Sequence, residues 1–131
     1  MLPGPVAAAG TESIRRQTEE LQIRSAIGQF GRAYQEKDLN GMKEAWPGMD
    51  RGTEGSYREV FRSYRKLGWT LLRSTVNIAG DSATVRCDVQ VEQVELRSDR
   101  TIVNNRSYQF RFQRQRSGWT IVEVANLRAG Q

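Results

Sequence analysis

The chain has 131 residues, 37% hydrophobic and 27% charged, with a net charge of +5. That suffices for one hydrophobic core, the composition is too ordinary for wholesale disorder, and no apolar run approaches the ~20 residues of a membrane helix. There is no histidine and a single cysteine, Cys87, which excludes an intramolecular disulfide, the usual Cys/His zinc site and an imidazole general base, so neither a metal nor a cofactor is expected.

Residues 1–10, MLPGPVAAAG, read as a linker-like tail. They lack the basic start and apolar core of a signal peptide, and the sequence does not give the compartment. A longer polypeptide continuing upstream is one reading of this stretch, and a short native tail is the other. The domain itself is expected over residues 11–127, with 128–131 as a second tail.

A first helix is predicted from Thr11 or Glu12 to Lys37. Ile23, Ile27, Phe30 and Tyr34 recur at helical spacing and mark its buried face. Gly28 and Gly31 interrupt an otherwise good helix, which predicts that another element approaches its backbone closely. A short second helix follows from Asp38, its N-cap, to Trp46, where Pro47 stops it. After a glycine-rich loop, 48–55, Ser56 and Glu59 have the spacing of a capping box. They predict a third helix carrying Val60, Phe61, Tyr64 and Leu67 and ending at Gly68.

Beyond Gly68 the period changes to two. Strands are predicted over Trp69–Ala79, Ser82–Leu96, Thr101–Arg116 and Trp119–Leu127, with turns at Gly80-Asp81, Ser98–Arg100 and Ser117-Gly118. In the second strand Ala83, Val85, Cys87, Val89 and Val91 share one face, and a bulge near Glu92-Gln93 would account for Val94 and Leu96 continuing in the other phase. Three helices followed by a four-stranded antiparallel meander is an α+β arrangement.

The segment Phe30–Trp46, FGRAYQEKDLNGMKEAW, resembles the helix hairpin of the nuclear transport factor 2-like superfamily, which includes SnoaL-like polyketide cyclases and ketosteroid-isomerase-like proteins. The Gly80-Asp81-x-Ala83-x-Val85 turn and the closing Trp119-x-Ile121-x-Glu123 are similar to the same pattern. The resemblance implies a cystatin-like cone: three N-terminal helices packed in a curved four-stranded sheet, with a pocket at the wide end and frequent dimerisation through the outer sheet face. It resembles most the uncharacterised bacterial branch, found as stand-alone or fused domains. The isomerase branch uses a helix tyrosine and two aspartates. At the matching positions this chain carries Phe30, the short loop 47–55 and Tyr108, so the resemblance extends to the fold and not to that chemistry.

The candidate ligand pocket comprises Phe30, Tyr34, Trp46, Tyr57, Phe61, Tyr64, Cys87, Arg106 and Tyr108, aromatic residues with polar tips that line a pocket or fill a core. Arg106 shares the phase of Tyr108 and could receive a ligand carboxylate. Asp50 and Glu54, in the loop, are the available acid–base carboxylates, and Cys87 reads as a small buried hydrophobe. Trp69 and Leu71 fall in the opposite phase from Val76 and Ile78, as do Val122 and Val124 from Trp119 and Ile121. Together with Arg111 they suggest a second apolar sheet face, for a homodimer or another domain of a parent protein. Arg111 alternates with the aromatics of the third strand and lies on the opposite face from them, so they form no stacking platform for nucleic acid beside it. The expected function is that of a non-catalytic accessory domain for dimerisation or for binding a small apolar or anionic ligand, with no nucleic-acid or membrane partner. An isomerase- or cyclase-like enzyme acting on an apolar carbonyl compound is the alternative.

Overall fold

A computed structural model describes residues 4–127, with side chains from Gly10 onward. The order is α1 (Gly4–Gln35), α2 (Leu39–Ala45), α3 (Arg51–Ser63), β1 (Tyr64–Ala79), β2 (Ser82–Glu95), β3 (Thr101–Gln115) and β4 (Gly118–Leu127). The strands form one antiparallel sheet in sequence order, and α1 packs across it against β1 and β4. The α+β class and the curved four-stranded sheet are as the sequence predicts. Among the described residues no helix is long and apolar enough to cross a membrane.

Residues 4–10, read from composition as a tail, are helical and begin α1, in keeping with the high helix propensity of the alanine run. Met1–Pro3 and residues 128–131 lie outside the described residues. The helix then stays exposed until Glu19, and its predicted stripe of Ile23, Ile27, Phe30 and Tyr34 is buried on the sheet. At its end Lys37 adopts φ +57. The Lys37 amide donates to the Tyr34 carbonyl and the Asp38 amide to the Ala33 carbonyl, the paired bonds of a Schellman cap with lysine in the usual glycine position. Asp38 then caps α2, as predicted, by accepting from the Gly41 amide at 3.0 Å.

The third helix departs from the prediction. It starts at Arg51, capped by Asp50, whose Oδ1 accepts from the Thr53 amide at 2.7 Å. Ser56 is not a cap; its hydroxyl donates to the Gly52 carbonyl inside the helix. Asp50 offers the same capping chemistry one and a half turns earlier, and the longer helix brings Glu54 into the positive end of its dipole. The helix also ends early. Tyr64 is already extended and pairs with Glu95, so the long β2 template overrides the helical spacing of Tyr64 and Leu67.

The sheet is bent by extra residues at Arg65 and Leu72 in β1 and at Val122 in β4. These bulges correct two sequence readings. The bulge expected near Glu92-Gln93 is absent, because β2 keeps a continuous register with β3 and Gln93 simply takes the next inward position, buried. The second apolar face is a product of phase shifts. Trp69 and Leu71 pair with inward Val91 and Val89, and once Leu72 is looped out, Val76 and Ile78 pair with inward Val85 and Ala83. Likewise Val124 pairs with inward Phe110 beyond the Val122 bulge. Trp69, Leu71 and Val124 therefore belong to the concave face, and only the half-exposed Val122 and Arg111 remain of the proposed outer patch. That outer face carries ion pairs, Arg111 with Glu123 and Arg73 with Asp88, beside the exposed Val103 and Val122.

Candidate functional site

At the end of the sheet where α1, α3 and β1 converge, the concave face encloses a cavity of about 240 Å³. Phe30 and Tyr34 reach it from α1, Tyr57 and Val60 from α3, and Trp69 from β1. Gln93, Arg106, Tyr108, Val124 and Asn126 line it from the remaining strands. Trp69 is the centre of the aromatic wall. Its indole stacks on Tyr108 with ring centres 5.6 Å apart and planes 20° apart, and it meets Phe30 and Tyr34 at 5.8 and 5.9 Å. The Trp69 amide donates to Gln35 Oε1 at 2.8 Å, tying the strand to the end of α1. The ring lies where a side chain at Gly31 would begin. Gly31 is thus the close approach that the sequence predicts; nothing lies near Gly28.

Burial holds Tyr34 above the usual tyrosine range, against the hydrogen bond it shares with the Gln93 amide. Desolvation raises Tyr57 further. Both are neutral hydroxyls at any physiological pH. Arg106 is partly buried, with Nη1 3.5 Å from the Tyr108 hydroxyl, and that contact is the chief cause of its raised pKa. No carboxylate among the described residues forms an ion pair with it. Among the described residues it is the one charged member of the lining, since the others are aromatic, aliphatic or amide.

Of the nine predicted pocket residues, Phe30, Tyr34, Tyr57, Arg106 and Tyr108 meet in the cavity. The other four do not line it. Trp46 is buried behind Phe30, with ring centres 6.4 Å apart. Phe61 backs Tyr34 and Tyr57, at 6.2 and 6.3 Å. Tyr64 is half-buried at the start of β1. Cys87 is buried, and desolvation pushes its thiol up to about 12, so it is an inert core group. Asp88 points away from it to the outer face, where it accepts from Ser107 at 2.8 Å.

The two loop carboxylates are committed elsewhere. Asp50 caps α3, and the Thr53 amide holds it below the usual carboxylate range. Glu54 is buried and lowered by its hydrogen-bonded ion pair with Lys43, which joins α3 to α2. Neither lines the cavity. Trp69, Val124, Gln93, Asn126 and Val60 were not among the predicted pocket residues. The first two were hidden by the bulges, while Gln93 was legible as a polar residue in the odd, inward phase of β2.

No protein-family model and no curated protein matches the sequence. Solved structures do match. A nuclear transport factor 2-like superfamily protein from Salmonella enterica serovar Typhimurium is 14% identical with a TM-score of 0.76, over 88% of this chain and 94% of that one. A nuclear transport factor 2-like protein with a cystatin-like fold from Novosphingobium aromaticivorans is 21% identical with a TM-score of 0.71, over 92% and 89%. A candidate scytalone dehydratase from the same species is 8% identical with a TM-score of 0.76, over 88% and 89%. At these identities the likeness is one of fold: the chain has the nuclear transport factor 2-like, cystatin-like architecture, which carries enzymes and non-catalytic proteins alike.

Proposed function

We propose that the domain binds a small ligand in the aromatic cavity and performs no chemistry on it. The observation that carries this reading is the composition of the lining, which among the described residues has hydroxyls, amides, aromatic faces and one guanidinium, but no carboxylate. General acid–base catalysis needs a group that exchanges a proton near neutral pH. Arg106 does not lose its proton, and burial removes Tyr34 and Tyr57 from that range. Apolar walls with a few convergent polar groups are the usual form of a small-molecule site. An accessory, ligand-sensing role within a larger bacterial protein fits such a site.

The test is calorimetric titration of the chain with small aromatic acids and carbonyl compounds, followed by chromatography of the same mixtures. Saturable binding that Trp69→Ala weakens, with the compound recovered unchanged, is the expected result. Turnover that Tyr108→Phe abolishes would establish the enzyme reading instead.

A further inference from the structure

The charge balance of the cavity specifies its ligand more narrowly. We propose that the ligand is a small aromatic monoanion, with its carboxylate on Arg106 and its ring against the Trp69–Tyr108 stack. This deepens the binding reading above and rests on it.

Arg106 is the first ground. It is a partly buried cation hydrogen-bonded to a neutral hydroxyl, that of Tyr108, at 3.5 Å. Several other arginines have carboxylate partners: Arg65 with Asp99, Arg73 with Asp88, Arg111 with Glu123, and Arg114 with both Glu19 and Asp81, whereas half-buried Arg24, like Arg106, is hydrogen-bonded to a hydroxyl, that of Ser74. Apart from Glu19, whose side chain is largely buried, these carboxylates lie at solvent-exposed positions, where a partner is needed least. At the cavity, where desolvation makes an unpaired charge costly, no carboxylate partner is supplied from the described residues. A bound carboxylate would complete the missing pair, and a guanidinium is shaped to take it bidentately.

The remaining lining sets the rest of the ligand. No second cation among the described residues lines the cavity, so one negative charge balances Arg106 and a second would find no counterion among them. The stacked Trp69 and Tyr108 and the Phe30 ring offer flat, polarisable walls, to which a planar ring is complementary. Gln93, buried on the inward face, and Asn126 at the strand end supply amide groups for a further polar substituent.

The probes are benzoate and cinnamate, their neutral amides benzamide and cinnamamide, and acetate as an anion without a ring. Each is titrated calorimetrically into the whole chain at low salt. The expected result is that each aromatic acid binds at least about tenfold more tightly than its amide, with acetate weaker than either acid. Arg106→Gln should remove the preference of acid over amide, and Arg106→Lys should restore part of it. Equal affinity for acid and amide in the unaltered chain overturns the anion assignment and leaves the cavity reading intact; this comparison needs no variant to fold. Acetate binding as tightly as the aromatic acids overturns the aromatic assignment. An Arg106→Gln protein that is folded by circular dichroism and keeps the preference also overturns the proposal. Failure of all five probes to bind overturns the binding reading together with it.

Discussion

The two ends of the concave face are built from the same helix and the same strands, yet one is solid and the other hollow. At the solid end Ile23, Ile27, Val85, Phe112 and Ile121 meet, none more than 1% exposed, and not one carries a side-chain polar atom. At the hollow end α1 turns Tyr34 inward, β3 turns Tyr108 and Arg106, and β2 turns Gln93. Hydrocarbon side chains can interdigitate without regard to direction. Hydroxyls, amides and a guanidinium must each reach a partner or water. The cavity therefore follows from polar tips placed at inward positions, rather than from small residues that leave a gap.

The largest effect that sharpens this contrast is expected from truncation. Phe110 is completely buried between the two ends and packs edge-on against Phe30 with ring centres 5.6 Å apart. Phe110→Ala should cost about 3–5 kcal/mol in a chemical denaturation experiment. Tyr108→Phe, two residues along the same face, removes only a hydroxyl from a partly exposed ring and should cost about 1 kcal/mol or less. Equal losses would mean that the hollow end is as tightly packed as the solid one.

What could be read from the sequence follows the same division. The solid end was legible because one hydrophobic period runs through it: Ile23 and Ile27 in α1 and Ala83 and Val85 in β2 kept their predicted faces. The ends of α3 were less so, since Asp50 and Ser56 are both good caps and the pairing of Tyr64 with Glu95 is a long-range contact that local spacing does not encode. The hollow end was legible only in part. Alternation reports a face only while the register holds, and single bulged residues at Leu72 and Val122 inverted the phase of Trp69 and Val124 relative to their neighbours. An apparent second apolar face in a strand is therefore also the signature of a bulge. The glycine at Gly31 pointed correctly to a close approach, but not to Trp69 as the residue making it.

That glycine gives the next comparison. Gly31 and Gly28 lie one turn apart on α1. In an open helix interior Gly→Ala gains about 0.5–1 kcal/mol from reduced backbone freedom. Gly28→Ala, with nothing near the new methyl group, should show that gain as a higher Tm. At Gly31 the methyl group would enter the Trp69 ring, which Tyr108, Phe30 and Tyr34 hold in place. Gly31→Ala should therefore be destabilising by about 1–3 kcal/mol, the usual cost of overpacking. A stabilised Gly31→Ala protein would show that the indole moves freely, and with it the wall of the cavity.

The smallest effect concerns the start of α3, which sets where Tyr57 and Val60 enter the hollow end. If Asp50 rather than Ser56 is the cap, Asp50→Ala should lower Tm and Ser56→Ala should leave it nearly unchanged. The pH dependence gives a second readout. The Thr53 amide favours the charged form of Asp50, so its pKa in the folded chain lies below its unfolded value. The stabilisation is therefore complete above the ordinary carboxylate pKa and is lost as pH falls through the lower, folded one. The Tm difference between the parent chain and Asp50→Ala should be constant near neutrality and shrink in acid. A difference that persists unchanged below the folded pKa would place the effect of Asp50 in its packing rather than in its charge, and the cap would then contribute nothing to holding Tyr57 at the cavity.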